Sequence, residues 1–415
     1  MRTLAEWLQF IELQHPKSIA LGLERVAEVR RRMNVTLPCP VITVGGTNGK
    51  GSVCALLEAI LRAGGYRTGL YTSPHLERYN ERVRIAGVEA SDEALCASFE
   101  AVEAARGDIA LTYFEYGTLG ALWLFAREGI EAAVLEVGLG GRLDAVNIID
   151  ADCAVLTSVG IDHVDYLGPD RESIGREKAG IFREGRPAVI AEPSPPRTVL
   201  EARGVHYRLG RDFGYLDERS QWSYWGPAGK RAGLAHPALR GAMQLRNAAA
   251  AMCALDCLRE RLPLGMQELR RGLAEVALPA RFQVLPGRPQ IVLDVAHNPQ
   301  AAAVLADNLA ASGYAPETIA VCGMLRDKDI AGVLAALAPR VTRWHLASLG
   351  GARGARAEEL ARHVHGEREC FDAPGAAFAA ALKRAHDDDK IVVFGSFLTV
   401  GEVLEWLKKK KTSKR

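Results

Sequence analysis

Several common signals are missing from this chain, and each absence removes a class. Its eight cysteines are scattered through 415 residues with no C-x-x-C pair, so neither a disulfide framework nor a zinc motif is expected, and reduced thiols of a cytoplasmic protein suit the pattern. No run approaches the roughly 18 apolar residues of a membrane-spanning helix. The first ten residues include Arg2, Glu6 and Trp7 and no long apolar stretch, so no signal peptide is expected. Neither sign of charge dominates. The formal net charge is +2, and removing the six Lys and Arg residues between Lys408 and Arg415 takes it to −4. A slightly acidic body argues against a nucleic-acid-binding surface, and the basic end reads as a solvated terminus. What remains is a soluble globular composition, 48% apolar and 25% charged, long enough for two or three cores.

The stretch that orders the rest is Val41-Ile42-Thr43-Val44-Gly45-Gly46-Thr47-Asn48-Gly49-Lys50-Gly51-Ser52. Four apolar or β-branched residues predict a buried strand, a glycine-dense turn with one lysine follows, and Val53 to Leu61 continues at helical spacing. Strand, glycine turn and helix present backbone N–H groups and a helix N-terminus to a triphosphate. The spacing departs from the usual phosphate-loop pattern, because five residues rather than six lead from Gly45 to Lys50 and Gly51 separates Lys50 from Ser52.

Further strands are expected at Thr68–Tyr71, Ala132–Val137 and Cys153–Val159, with a helix capped by Ser91 and another over Tyr116–Glu128. Strands alternating with helices argue a parallel sheet covered on both faces. Residues 76–84 read as an arginine-rich loop, residues 187–237 as irregular and antiparallel β structure, and Leu245–Leu262 as a helix. Prolines at 279, 286 and 289 mark a link, after which the α/β period restarts with strands at Ile291–Val295, Thr318–Gly323 and Lys390–Phe394 and a final helix to Lys408. The domains expected are residues 1–280 for nucleotide and main substrate, a linker at 281–289, a smaller α/β domain at 290–408 and a basic tail at 409–415.

In parallel sheets ligands bind beyond the carboxyl ends of the strands. Ser73, Glu136 and Asp162-His163 follow three of the expected strands, with Lys178 shortly after. A hydroxyl and a carboxylate beside a triphosphate loop suit Mg²⁺, although imidazole is a poor ligand for it. Thr112-Tyr113-Phe114-Glu115 offers a ring for stacking and a carboxylate for hydrogen bonds. In the second domain Asp294 and His297 end a strand, Arg281 sits on the link, and Ser396 stands at a helix N-terminus, which suits an anion.

These residues, taken together and in order, resemble the Mur-ligase superfamily. Gly46-Thr47-Asn48-Gly49-Lys50-Gly51-Ser52, Thr72-Ser73-Pro74-His75-Leu76, the run Glu136 to Asp144, Asp162-His163, the run Arg171 to Gly180 and Asp294 to Pro299 are similar to its folylpolyglutamate synthase and dihydrofolate synthase branch. Tyr113 to Leu119 resembles the bacterial members with both activities. The resemblance implies a P-loop domain with a mostly parallel sheet and a small antiparallel β region, followed by a smaller Rossmann-like α/β domain. It implies a monomeric, ATP-dependent amide ligase joining L-glutamate to 7,8-dihydropteroate and to reduced folates through an acyl phosphate. Thr47, Asn48, Gly49, Lys50, Gly51 and Ser52, with Asn247, Arg281 and Asp294, would hold ATP. Ser73, Glu136 and His163 would hold Mg²⁺, and Lys178 would be carbamylated to support a second ion, with K⁺ a further candidate. Ser18, Ile19, Ala20, Thr112, Tyr113, Phe114, Glu115, Leu143, Asp144 and Ala145 would line the pterin site, with His297 and Ser396 facing glutamate. Lys50, His163, Lys178, Arg281 and His297 would be the catalytic set.

Three rivals stand beside this reading. The first is chain extension alone. The second is a cell-wall Mur ligase, which needs a uridine-nucleotide domain that about 40 residues before the loop do not supply. The third is a nucleotide-dependent switch, which has no need of the strand-end residues beyond the loop.

Overall fold

The computed structural model describes residues 2–15 and 19–412, apart from the side chains of 411 and 412. The chain divides into two compact units, Met1–Ala238 with Leu245–Val276 and Leu239–Gln244 with Ala277–Arg415.

The first unit is built on an eight-stranded sheet. Its strands are β1 (Val41–Gly45), β2 (Thr68–Tyr71), β3 (Val83–Ile85), β4 (Val88–Glu89), β5 (Ala132–Glu136), β6 (Cys153–Leu156), β7 (Pro187–Ile190) and β8 (Val205–Arg208). They lie in the order β4-β3-β2-β5-β1-β6-β7-β8, parallel from β2 to β8. β1, β2, β5 and β6 are buried along their whole lengths, as expected of strands covered on both faces, and this is why they read as unbroken apolar runs. A separate antiparallel sheet follows, β9 (Gly214–Asp217), β10 (Trp222–Gly226) and β11 (Gly229–Leu234).

The second unit carries β12 (Gln283–Leu285), β13 (Gln290–Leu293), β14 (Thr318–Cys322), β15 (Arg343–Ala347), β16 (Glu367–Phe371) and β17 (Lys390–Phe394). Their order is β12-β13-β17-β14-β15-β16. All neighbours are parallel except the β12–β13 pair.

The α/β architecture matches the sequence expectation, with local corrections. Residues 76–84 are not a plain loop: Tyr79–Arg82 forms a 3₁₀ turn and leads into the β3–β4 hairpin. Within 187–237, β7 and β8 continue the parallel sheet, and only β9–β11 are antiparallel. These strands are four to six residues long, too short for a periodic signal to stand out beside the flanking prolines. Gln283–Leu285, inside the segment expected to be a link, is an edge strand paired with β13. The closing helix runs from Phe397 to Thr412 and so takes in the start of the expected tail. Among the described residues no helix is long and apolar enough to cross a membrane.

One crossing in the first unit is closely set. The helix Lys50–Ala63 packs against the helix Met266–Glu275 at Gly272, where an added Cβ would stand 2.5 Å from the Ile60 Cα. Backbone cannot yield as a flexible side chain does, so a side chain here drives the helices apart. Gly272→Val is expected to destabilise the protein by about 3 kcal/mol in a denaturant titration; an unchanged midpoint contradicts this packing.

Candidate functional site

The first unit's site grows from the register of its central strand. β1 lies between β5 and β6, with Val44 opposite Glu136 and Gly45 opposite Leu156. Tyr71 of β2 is opposite Leu135, one residue short of Glu136. Three strand ends therefore meet at one edge: the glycine turn after β1, Ser73 after β2 and Glu136 closing β5. The Ser73 N–H donates to Glu136 Oε2 at 3.0 Å, and Glu136 is buried.

The glycine turn is laced to the end of β6. Thr157 N donates to Gly45 O (2.9 Å) and Thr47 N to Ser158 O (2.9 Å). Asn48 N donates to Ser158 Oγ (2.9 Å), and Thr157 Oγ1 to Asn48 O (2.6 Å). Thr47 Oγ1 accepts from Gly160 N at 3.0 Å and lies 3.1 Å from Gly160 O. Gly46 has φ +144°, and a Cβ there would fall 2.0 Å from Thr157 Oγ1, so only glycine fits this close approach.

This lacing divides the labour within the turn. The amides of Thr47 and Asn48 are engaged in holding the loop. The amides of Gly49, Lys50, Gly51 and Ser52 open the helix Lys50–Ala63, where no carbonyl of the preceding turn is present to accept from them. No side chain caps that helix and its first turn holds no acid, so the positive end of its dipole points at the loop mouth. Lys50 Nζ donates to Gly46 O (3.0 Å) and Thr47 O (3.2 Å), which keeps its charge at the same mouth. Asn247, buried in the helix Gln244–Cys257, lies against Gly49, where a Cβ would meet its Oδ1 at 2.9 Å. A triphosphate is the ligand that the amides of a helix's first turn, its dipole and an ammonium group suit.

His163 adopts a left-handed backbone at φ +54° and caps the short helix Val164–Leu167; its Nε2 stands 3.9 Å from Asp162 Oδ1. Such a conformation in a non-glycine residue is held by its surroundings rather than preferred. Lys178 is buried in the helix Arg171–Ala179. The last turn of that helix is fastened to the loop after β5. Arg142 N donates to Glu177 O (2.8 Å), the Arg142 guanidinium pairs with Glu177, and a Cβ on Gly141 would stand 2.8 Å from Lys178 O. Ser73, Glu136 and His163 offer two oxygens and an imidazole nitrogen. That set suits a divalent cation which completes its shell with phosphate oxygens and water. Among the described residues no group of three or more His, Cys, Asp and Glu side chains is placed to hold a metal.

Beside this edge lies an aromatic and carboxylate surface. Thr112 caps the helix Tyr113–Glu128 in a reciprocal box with Glu115. Glu115 Oε2 accepts from Thr112 N (2.8 Å) and Oε1 from Arg25 (2.9 Å), whose guanidinium also reaches Ala20 O (3.0 Å). Arg25 thus joins the Ile19–Ala20 segment to the 112–115 turn, a residue that sequence reading missed; Ser18 lies outside the described residues. The expected free carboxylate of Glu115 is already engaged by a cap and an ion pair. Phe114 packs on Gly138, where a Cβ would be 2.7 Å from its ring, and sits 5.8 Å from the Tyr71 ring.

The expected arginine-rich surface is mostly neutralised, since Arg78 pairs with Glu89 and Arg84 with the buried Glu58. Arg82 is spent differently. It lies over Tyr79 and Tyr113 and donates to His75 Nδ1 at 2.8 Å. Burial and then the Arg82 charge hold the His75 pKa down at about 4. Asp144 caps the turn Ala145–Ile148 and also accepts from Leu139 N at 2.8 Å. Burial pushes its pKa up to about 7 against these hydrogen bonds and the Lys50 charge.

The second unit assembles its own strand-end set. Asp294 is half-buried after β13, with Oδ2 accepting from Phe282 N (2.8 Å) and Oδ1 from Ala296 N (2.8 Å). These bonds pin residues 280–282, where Ala280 and Phe282 are both left-handed, on either side of Arg281. The Arg281 guanidinium stands 5.1 Å from the Phe397 ring. His297 Nδ1 lies 2.8 Å from Val295 O, with its ring 6.3 Å from Phe397. Ser396, buried, accepts from Leu398 N at 3.1 Å and opens the closing helix. Arg281, Asp294, His297 and Ser396 therefore gather at the ends of β13 and β17.

Comparison with known proteins agrees with this geometry. Residues 44–255 match the model of the Mur ligase middle domain, and residues 280–397 that of the Mur ligase glutamate ligase domain. The chain is 48% identical to the dihydrofolate synthase/folylpolyglutamate synthase of Escherichia coli (strain K12), covering 97% of this chain and 95% of that one. A solved structure described as E. coli FolC in complex with DHPP and ADP is 47% identical, with a TM-score of 0.95 and 99% of each chain covered. A bifunctional folylpolyglutamate synthase/dihydrofolate synthase with Mn, AMPPNP and L-glutamate bound is 46% identical, with a TM-score of 0.91 over 98% of each chain.

Two consequences can be measured. Gly46→Ala is expected to raise the KM for a bound nucleoside triphosphate by about tenfold or more, because a strained conformation and a clash are introduced together; an unchanged KM contradicts the lacing. The raised pKa of Asp144 favours its protonated form in the folded state. Its contribution to stability is therefore present below the ordinary aspartate range and lost as pH rises through about 7. The ligand-free protein should lose melting temperature relative to Asp144→Asn between pH 5 and pH 8; a constant difference contradicts the burial argument.

Proposed function

This chain belongs to the Mur ligase family, in its dihydrofolate synthase/folylpolyglutamate synthase branch, and from that premise we propose how its residues carry the reaction. It is an ATP-dependent amide ligase that joins L-glutamate to 7,8-dihydropteroate and extends reduced folates with further glutamate, and it uses a divalent metal ion. The observation that carries the reading is the β1 register, which sets the glycine turn, Ser73 and Glu136 at one sheet edge.

A carboxylate does not react with an amine, because oxide is too poor a leaving group. The pteroate carboxylate oxygen attacks the γ-phosphorus, the bond to the β–γ bridging oxygen breaks, and ADP departs with that electron pair. The glutamate amine then attacks the acyl carbon, the C–O bond to phosphate breaks, and the amine loses a proton. The first step brings two anions together, so positive charge must stand between them. The Gly49–Ser52 amides and Lys50 supply it on the phosphate side. Ser73, Glu136 and His163 would hold Mg²⁺, whose bound chemistry is to neutralise developing charge on the phosphate oxygens. We assign Lys178 as the residue that takes up CO₂ on its amine, releasing a proton and becoming a carbamate that supports a second ion. The Tyr113-Phe114 rings and Asp144 form the pterin wall, with Arg25 and Glu115 shaping it together with Ile19 and Ala20. Leu143 and Ala145 flank Asp144 on the same wall. Asn247, Arg281 and Asp294 serve the nucleotide, and His297 and Ser396 the glutamate. Residues 1–280 thus serve nucleotide and pterin, and residues 290–408 serve the amino acid and, through Asp294, the nucleotide.

The direct test incubates the pure protein with ATP, Mg²⁺ and glutamate, offering dihydropteroate or a reduced folate, and weighs the products. Dihydrofolate in the first case and a glutamate-extended folate in the second are expected. Product from the folate alone reduces the activity to chain extension, and phosphate release that needs neither substrate returns the switch. Lys178→Ala is expected to lose roughly 100-fold in turnover while still binding ATP, with partial recovery on adding short carboxylic acids. Full turnover without them contradicts the carbamate.

A further inference from the structure

A charged pair that holds no assigned nucleotide, metal or pterin role, Arg171 and Glu192, ties the Lys178 helix to the segment after β6. Arg171 opens the helix that bears Lys178, and Glu192 follows β7. Arg171 donates through Nε to Val159 O (3.0 Å) and through Nη2 to Glu192 Oε1 (3.1 Å) and Ser194 O (2.8 Å). Glu192 Oε2 accepts from Val159 N (2.9 Å), and its Oε1 also accepts from Ser194 N (3.1 Å). One ion pair therefore holds both peptide groups of Val159, a buried residue. On either side of Val159 stand Ser158 and Gly160, which with Thr157 fasten Thr47 and Asn48 of the phosphate loop.

We propose that Arg171 and Glu192 are a positioning pair for phosphoryl transfer, setting the phosphate loop and the Lys178 helix in one frame; this rests on the reading of Gly45–Ser52 as the triphosphate loop. Neither side chain touches the reacting atoms. Their effect passes from Val159 through Ser158 and Gly160 to Thr47 and Asn48, and along the helix from Arg171 to Lys178. The far end of that helix is fixed independently by Arg142 and Glu177, so the pair governs its near end. Charge-assisted bonds suit this task, being about twice as strong as neutral ones and, with a guanidinium fork, directional. Glu192 is buried, with 7% of its side chain exposed, while the Arg171 side chain is 43% exposed. Without the pair, two buried peptide groups lose their partners and the segment must move to satisfy them. Small displacements of phosphate-positioning groups are costly in rate.

The test uses the full-length enzyme with Glu192→Gln, Arg171→Gln, Arg171→Lys and the double Gln variant. The single Gln variants should lose about 10- to 100-fold in kcat/KM for ATP, while KM for dihydropteroate stays within about twofold. Arg171→Lys, which keeps the charge and loses the fork, should fall between them and wild type. The double variant should be no more than about threefold worse than either single, because the two residues act as one unit. Short carboxylic acids should restore nothing, which separates this defect from loss of the Lys178 carbamate. Wild-type kcat/KM for ATP in both single variants overturns the proposal. So does an equal loss for every substrate that simply follows a fall in melting temperature. Lys50→Ala is measured alongside: if it too retains ATP use, the loop reading itself fails, whereas its inactivity beside an unimpaired Glu192→Gln rejects the positioning pair alone.

Discussion

The first unit depends on the hydrogen-bonded seam between the glycine turn after β1 and the Thr157–Gly160 segment after β6. A turn rich in glycine has many conformations to lose, and without an external frame it would not hold one shape. The seam supplies that frame through Thr157, Ser158 and Gly160, using the amide and hydroxyl of Thr47 and the amide and carbonyl of Asn48 as the fastening. What is left over, the start of the helix and Lys50, faces the phosphate. The departure from the usual phosphate-loop spacing has a physical sense here, because part of the loop holds and part binds.

The same economy recurs at the other strand ends. Glu136 both closes β5 and accepts from the Ser73 N–H, so two of the three expected metal-binding residues are brought together by the parallel register before any ion arrives. Asp144 is held by burial near the point where its proton is in balance at neutral pH, and it shares a wall with Phe114, whose ring occupies the room that Gly138 leaves open. In the second unit Asp294 works as a clamp on residues 280–282. A carboxylate that organises backbone in this way sets the guanidinium of Arg281 indirectly.

Much of this was legible from residues alone, for identifiable reasons. Buried parallel strands advertise themselves as apolar runs, and polar residues directly after them stand out against that background, which is how Ser73, Glu136, His163 and Asp294 were found. The resemblance to a known family supplied the roles. The rest was hidden by the same physics. β16 is an exposed edge strand written Glu367-Arg368-Glu369-Cys370-Phe371, with little apolar pattern to read. β7 and β8 are four residues each beside a proline cluster, so the carboxylate of Glu192 was not recognised as a strand-end group. Arg25 reaches back only to the Ala20 carbonyl and Arg171 to that of Val159, at spacings that belong to no helix or strand repeat, so nothing in the local pattern announces these contacts. Glu115 looked available because its partner, Arg25, is 90 residues away.

The central claim is that this sheet edge transfers the γ-phosphoryl group to a carboxylate before the amine attacks. Dihydropteroate carrying ¹⁸O in both carboxylate oxygens, turned over with ATP, Mg²⁺ and glutamate, tests it most directly by the mass of the phosphate released. Transfer through an acyl phosphate requires one labelled oxygen to leave with phosphate in every turnover. Phosphate free of label, with amide formed at the same rate, would contradict it.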